Sequence, residues 1–460
     1  MRTFAVSEPR TQTLRALNYA PTIERIRRAG SESATQLRNL VKAFGPAYGT
    51  VFTRLDCDPR FCVELLSQSD MFAAEPRGRV IRRDSMHRPE AHLVERGHVL
   101  IAGAGTLGEN ELYGRSLLAD VRLVGKYVGP DSMTLVFEEP DSDIVLFAYA
   151  WLASPTGVEA IRSTSYGTKI LRFRDDLFTS LPVPTAPRTV VGRVAAQVRR
   201  AQLGREQYAS AIAACRRLVE SNGDVAEALE ACATRQRQSV QWAGPFASLC
   251  AWNFAAGGGA VPLLRARWKT SLRDILPANG VFNGPRFARI DCAAPHGIEF
   301  LSQRDVFLIR PVPRRIVRPA VPNTMLFVPR EALLVGSHGQ MNEGSIFGKV
   351  ELASLVGANT GVTQDILRVL ALKDFREVAY AFLSTTVGQW LLKSTAIGTS
   401  IPLMRPDLLE ALPFPDPGVL PIEDIRREVL RAEAARIDAS RAEAEAIRII
   451  EEEVLPSWLA

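Results

Sequence analysis

Residues 147–184 (FAYAWLASPTGVEAIRSTSYGTKILRFRDDLFTSLPVP) align without a gap to residues 378–415 (VAYAFLSTTVGQWLLKSTAIGTSIPLMRPDLLEALPFP), with sixteen identities in thirty-eight positions. Upstream, FTRLDCDPRFCVELLSQSDMFAAEP (52–76) matches FARIDCAAPHGIEFLSQRDVFLIRP (287–311), with eleven identities in twenty-five. The order is kept and the offset is nearly constant: 235, then 234, then 231 residues. A chain of 460 residues that repeats itself in this way must fold as two copies of one architecture. A period of this length is too long for a solenoid, so the repeated unit is a domain.

Hydrophobic residues make up 47% of the chain and charged residues 23%, the balance of an ordinary globular protein able to bury a core in each half. No run of eighteen apolar residues occurs, and MRTFAVSEPRTQTLRALNYAP places charges where a signal peptide needs its apolar stretch. The chain is therefore expected to be cytoplasmic, away from the membrane and reduced. Its six cysteines (57, 62, 215, 232, 250, 292) form no CxxC pair and have no histidine at zinc spacing. Cys57 and Cys292 are repeat equivalents that read as small buried strand residues.

Each half opens with an aromatic segment (RALNYAP at 15–21, CAWNFAA at 250–256), followed by LRNLV (37–41) or LRDIL (272–276). Strand-like stretches punctuated by Gly and Pro come next: VFTRLDC, HVLIAGAG, VRLVGKYV and MTLVFEE, then RFARIDC, VFLIRP, TMLFVP and ALLVGS. Short strands with frequent turns predict a mixed or antiparallel sheet, hence an α+β class. The strongest repeat block begins as a helix, turns at Gly167 or Gly398, and ends at LPVP or LPFP.

A long helical segment follows each block. In the second, small or apolar residues recur at Ile425, Val429, Ala432, Ala435, Ala439, Ala442, Ala446 and Ile449, a coiled-coil-like step. In the first they are Val194, Val198, Ala201, Tyr208, Ala211, Cys215 and Leu218. Residues 421–454 as one helix would span about 50 Å at roughly 1.5 Å per residue. Their other faces carry ten acidic and six basic residues, a surface suited to another helix or protein rather than to DNA. A plain amphipathic helix covering a sheet is the alternative. A further helical stretch, DVAEALEACATRQRQ (224–238), leads into the second half.

GAGTLG (103–108) satisfies G-x-G-x-x-G after an apolar run, which alone suggests an S-adenosylmethionine or dinucleotide loop. Its repeat equivalent SHGQMN (337–342) keeps only the central glycine, and ENELYGRS after Gly108 is a poor helix to offer a phosphate. A strand–turn glycine is the better reading. Histidines 87, 92, 98, 296 and 338 are scattered, and HExxH, GxSxG and GxxxxGK[ST] are absent. The recurring carboxylates Asp56/Asp291, Glu64/Glu299, Asp70/Asp305 and Asp176/Asp407 read as turn and cap residues.

The basic residues are more informative. All but seven of the 56 Lys and Arg residues are arginine, a side chain suited to bidentate phosphate and guanine contacts. EPRGRVIRRDSMHR (75–88) and IRPVPRRIVR (309–318) lie at matching places, with Arg79/Arg314 and Arg83/Arg318 in register. Arg77, Arg79, Arg82, Arg83, Arg314, Arg315 and Arg318 are the DNA-binding candidates, against the alternative of a solvated charged face. The turns STSYGT (163–168) and STAIGT (394–399) add Thr168, Lys169 and Thr399 as candidate phosphate contacts, with a helix C-cap at the glycine as the alternative.

Taken in order, LRNLV/LRDIL, GHVLIAGAG/EALLVGSHG, the AYAWLASPTGVEAIRSTSYGT/AYAFLSTTVGQWLLKSTAIGT block with its LPVP/LPFP end, and a long helix after each block resemble the specificity subunit of type I restriction–modification systems. The resemblance covers about residues 15–455. It implies target-recognition domains at 1–187 and 239–418, central spacer helices at 188–238 and a C-terminal spacer helix at 419–460, the helices packed as a coiled-coil-like spacer. It further implies a non-catalytic subunit reading a bipartite duplex DNA site and docking two adenine-N6 methyltransferase subunits, with motor-nuclease subunits in the full complex. No cofactor is then expected on this chain; S-adenosylmethionine and ATP belong to partner subunits. The opening MRTFAVSEPRTQTLRALNYAP departs from the family's Trp-containing start, which keeps open a role in another phage-defence complex. A methyltransferase built on GAGTLG is the rival from the enzyme class.

Overall fold

The computed structural model describes residues 15–33, 35–45, 59–108, 111–233, 250, 252–255, 260–341 and 344–460. The opening residues 1–14, the strand expected at VFTRLDC with Asp56 and Cys57, and the end of the 224–238 helix beyond Ala233 lie outside them. Two compact units emerge: one holds the described residues up to Glu206 together with Ile437–Ala460, the other Gln207–Arg436.

The first unit contains, in chain order, β1 (Val41–Gly45), β2 (Cys62–Leu66), β3 (Arg79–Arg82), β4 (Val99–Ala102), β5 (Ala104–Gly105), β6 (Ser116–Leu118), β7 (Tyr127–Val128), β8 (Ser132–Phe137), β9 (Ser165–Tyr166) and β10 (Leu171–Phe173). They form an antiparallel sheet of order β1-β8-β4-β6, a sheet β3-β2-β7 with β2 and β7 parallel, and a hairpin β9-β10 extended by β5. The second unit contains β11 (Val281–Asn283), β12 (Ile298–Leu301), β13 (Arg314–Ile316), β14 (Ala332–Gly336), β15 (Val350–Leu352), β16 (Thr360–Val362), β17 (Ile366–Leu370), β18 (Ala396–Ile397) and β19 (Leu403–Met404). Its sheets are ordered β11-β17-β14-β15, β13-β12-β16 and β18-β19.

The pairings of β2 with β3 and of β4 with β8 recur at the repeat offset in the second unit, whereas β1 carries a bulge at Val41/Ala43 that β11 lacks. Leu65 lies opposite Arg79 and Phe300 opposite Arg314; Ile101 lies opposite Met133 and Val335 opposite Leu367. Because a one-residue slip would turn a strand's core face to solvent, such agreement means that the same apolar pattern governs both sheets. Ile81 and Ile316 are fully buried in β3 and β13, while the arginines beside them reach the surface.

The repeat block is an elbow rather than one helix. α1 (Asp143–Ala153) stops at Ser154, and α2 (Pro155–Ser163) leaves at 79° to it. Pro155 sits at the first turn of α2, where it needs no N–H partner, and the Ser154 hydroxyl accepts the Gly157 N–H at 3.1 Å. The second unit breaks between the corresponding helices, α4 (Arg376–Ser384) and α5 (Thr386–Lys393), without proline: Thr385 caps through the Gly388 N–H at 3.0 Å. A Cβ on Gly157 would stand 1.9 Å from the Trp151 carbonyl oxygen, and one on Gly388 2.2 Å from that of Phe382. These contacts explain why both repeats keep glycine there.

Four strand expectations fail: RFARIDC is irregular apart from a single bridge of Asp291 to Ile316, which leaves Cys292 half-buried outside any strand, and the other three fail for local reasons. VFLIRP follows a capping box in which Ser302 Oγ donates to Asp305 at 2.6 Å, so a helical turn forms at Gln303–Val306 instead. TMLFVP begins as the helical turn Asn323–Leu326. VRLVGKYV is a turn up to Gly125, where Asp120 accepts the Arg122 N–H at 3.0 Å, and only Tyr127–Val128 is strand.

Two long helices, α3 (Arg188–Glu220) and α6 (Ile422–Ile449), each cross the boundary between the units, contributing one half to each. The expected small-residue positions are buried, from Val194, Val198 and Ala201 to Ala442, Ala446 and Ile449, except Leu218, which is partly buried. They pack into the same apolar clusters as the sheets and elbows of their unit. No single helix among the described residues is long and apolar enough to cross a membrane. Among the described residues Cys215, Cys250 and Cys292 are free thiols.

Candidate nucleic-acid interface

The arginine stretches are edge strands. β3 pairs with β2 and β13 with β12, and the far side of β13 is met by residues 290–292, with Cys292 N–H donating to the Arg315 carbonyl at 3.1 Å and Val317 N–H to that of Ile290 at 2.8 Å. Arg79, Arg82 and Arg83 are exposed and Arg77 half-buried; Arg318 is exposed, with Arg314 and Arg315 half-buried. Several already have protein partners. Arg82 Nε donates to Asp84 at 2.6 Å, and that hydrogen bond holds the Asp84 carboxyl below its ordinary range. Arg83 Nε donates to the Tyr127 hydroxyl at 3.2 Å, and Arg314 Nε to Asp291 at 2.9 Å. Arg315 lies 3.7 Å from Glu299, while Arg318 donates to the Asn323 side chain and stacks over Phe327. Exposed pairs of this kind contribute little to stability, about 0–1 kcal/mol, so a phosphate can displace the carboxylate.

Gly167 and Gly398 are hairpin residues rather than helix C-caps, at φ of 97° and 94° in the left-handed region. Thr168, Lys169 and Thr399 are exposed at these turns. Arg15 Nη1 donates to the Gly167 carbonyl at 2.6 Å. The first hairpin is anchored beneath by Tyr113, whose hydroxyl meets Ser165 Oγ at 2.7 Å and whose ring stacks on Phe173 at 4.9 Å. Sequence reasoning passed over the most exposed apolar residues here, Ile170 at 62% and its repeat equivalent Ile401 at 70%. The signal was available: an isoleucine aligned with an isoleucine in otherwise polar turns.

The recurring carboxylates have structural partners. Asp70 and Asp305 close capping boxes, Glu64 accepts the Gly78 N–H at 2.6 Å, and Asp176 and Asp407 are held in the anionic form by Arg174 and Arg405. GAGTLG follows β4 and contains β5, and Glu111 N–H donates to the Gly108 carbonyl at 3.2 Å before the chain reaches β6. Among the described residues no helix begins between these glycines and β6. Ala104 is instead bound on both main-chain groups by the Gln68 side chain, as is His338 by Gln303. Ser337, His338 and Asp365 lie together, but Ser337 Oγ and the Asp365 carboxylate both address His338 Nδ1, so no proton relay results. Among the described residues no group of three or more His, Cys, Asp or Glu could hold a metal ion.

No family model matches the chain, and no curated protein does. Among solved structures, it is similar to the type I restriction–modification S subunit from M. genitalium, at 12% identity over 93% of this chain and 95% of that one, with a TM-score of 0.30. It is also similar to the HsdS subunit from Thermoanaerobacter tengcongensis, at 15% identity over 93% and 96%, with a TM-score of 0.26. A structure describing complex assembly and conformational transition of the type I R-M system matches at 14% identity over 93% and 97%, with a TM-score of 0.25.

Proposed function

We propose that this chain is the non-catalytic specificity subunit of a type I restriction–modification-like complex, each unit reading one half of a bipartite duplex DNA site. The observation that carries the reading is the twofold recurrence of one geometry: an arginine-bearing edge strand in the same register on the same partner strand in both units. A duplicated basic surface suits a ligand with two equivalent, phosphate-rich halves. The exposed hairpin turns bearing Thr168, Lys169 and Thr399 join that surface. α3 and α6 then serve as spacer and as the docking face for two adenine-N6 methyltransferase subunits, with motor-nuclease subunits completing the assembly. S-adenosylmethionine and ATP are assigned to those partners, in keeping with the strand–turn geometry of GAGTLG.

The test is binding of the full chain to random duplex DNA under salt titration, alone and with Arg79→Ala plus Arg83→Ala. Affinity should fall steeply with salt, and each lost phosphate contact should lower the slope by about one unit. An unchanged slope and affinity in the double variant would show that these arginines are merely solvated.

A further inference from the structure

Each unit buries one arginine where its halves of α3 and α6 meet the sheet. In the first unit this is Arg205 of α3, whose side chain is 3% exposed. Its Nη2 donates to Glu443 of α6 at 2.5 Å, and the same carboxylate accepts the hydroxyl of Tyr149 in α1. Asp120 stands 4.0 Å from Arg205 Nε and is gripped by Arg122 at 2.9 and 2.7 Å. Arg122 Nη1 then donates to the carbonyls of Ala73 and Ala74, both at 3.0 Å.

In the second unit the buried residue is Arg436 of α6, also 3% exposed. Its Nη1 donates to Glu351 of β15, its Nη2 to the Leu308 carbonyl at 3.0 Å, and its guanidinium lies 5.4 Å from the ring centroid of Tyr208 in α3. Burial alone would lower both arginines, but Glu443, Tyr149 and Asp120 outweigh it for Arg205, and Glu351 and Tyr208 for Arg436. Both stay charged.

The two sites are related by the repeat. Arg205 and Arg436 are 231 positions apart, the offset of the repeat block that each long helix follows, and Ala73 and Leu308 are 235 apart, the offset of the arginine strands. The counter-ion differs, one from a helix and one from a strand. What recurs is a buried guanidinium between α3 and α6 connected to the main chain six positions before Arg79 or Arg314, directly for Arg436 and through Asp120 and Arg122 for Arg205. Neighbouring turns of both helices pack with Val198, Ala201, Val429 and Ala432, so apolar residues satisfy these helices elsewhere. A buried ion pair is seldom more stabilising than an apolar replacement, and its best-attested use is to select one register.

We propose that Arg205 and Arg436 are positioning residues that lock each arginine-bearing strand to both long helices, and thereby fix the spacing at which the two half-sites are read. The inference rests on the DNA-reading function above. It is tested by selecting duplexes from a random pool with the full chain, wild type against Arg205→Met/Glu443→Gln and Arg436→Met/Glu351→Gln. Glutamine keeps an acceptor for Tyr149 and for the Leu352 N–H while removing the buried charge.

Both variants should retain the half-site bases. Their preference for the wild-type spacer over one shifted by a base pair should fall roughly tenfold, the scale of coupling between contacting groups. Arg205→Lys and Arg436→Lys keep the charge without the fork; they should restore the melting temperature but leave the spacer preference relaxed, which a purely structural role would not do. These lysine variants decide the matter if the double variants unfold. A folded variant with the wild-type spacer distribution overturns the positioning role. A wild-type chain that selects no bipartite site overturns the DNA-reading function itself, a result separable from the first.

Discussion

A single methyl group at Gly157 tests the elbow on which the first hairpin stands. The added Cβ would lie 1.9 Å from the Trp151 carbonyl oxygen and 2.8 Å from its carbon. Both are main-chain atoms of a buried helix, so neither can swing aside, and α2 must move by more than 1 Å relative to α1 to restore ordinary contact. Overpacking of this sort costs about 1–3 kcal/mol or more. The shift also stretches the Ser154 cap, a further loss of roughly 1 kcal/mol. Alanine's helix propensity returns about 1 kcal/mol. A net loss of roughly 1–3 kcal/mol should lower the melting temperature of a unit this size by about 2–12 °C. Thermal unfolding with hydrogen exchange resolved by unit is the assay. Gly388→Ala should do the same to the second unit, where the contact is 2.2 Å to Phe382. Gly192→Ala in α3, whose Cβ would meet nothing nearer than Asp143 Oδ2 at 3.7 Å, should be neutral or stabilising. If Gly157→Ala melts like Gly192→Ala, the close-approach account of the elbow is wrong.

Asp84→Ala removes the partner that occupies Arg82 and should raise duplex affinity and steepen its salt dependence by about one unit, read by fluorescence anisotropy. Ile170→Ser and Ile401→Ser should leave the melting temperature within about 0.5 kcal/mol equivalents of wild type, since both side chains are largely in solvent; loss of duplex affinity in the same variants would add the hairpin tips to the interface. His92 and His98 are buried in the first unit, and desolvation lowers both imidazoles. The unfolded chain therefore takes up protons first, so the first unit should lose stability as pH falls through the ordinary imidazole value near 6.5. His92→Gln should flatten that dependence, measured by chemical denaturation between about pH 8 and pH 5.

The α+β class, the central strands at Val99–Ala102 and Ala332–Gly336, and the buried positions of both long helices were legible because each rests on local pattern. The elbow was not read, since the apolar composition continues past Ser154, although Ser154-Pro155 carries a cap-and-start signal that the close approach at Gly157 completes. VFLIRP misled for the opposite reason: its apolar run imitates a strand, but the serine and aspartate before it start a helical turn. At the candidate interface the arginine rows could be placed in sequence, yet their partners could not. Asp291 reaches Arg314 across 23 positions, and Tyr127 reaches Arg83 across 44. The buried guanidiniums escaped notice because Arg205 and Arg436 sit among charged neighbours, where an arginine ordinarily faces solvent.

The placement of the unit boundary inside both long helices bears on the order of folding during synthesis. The first unit draws on Ile437–Ala460, so it cannot close until the ribosome has translated those residues. The second unit, Gln207–Arg436, is continuous in the chain and is complete before the first, although its residues are made later. Nascent domains ordinarily fold from the N-terminus onward. Here the earlier half must wait, with the faces of Val194 and Val198 uncovered, until Ala446 and Ile449 arrive to share their cluster. During that interval the nascent first half presents apolar surface of the kind that chaperones bind.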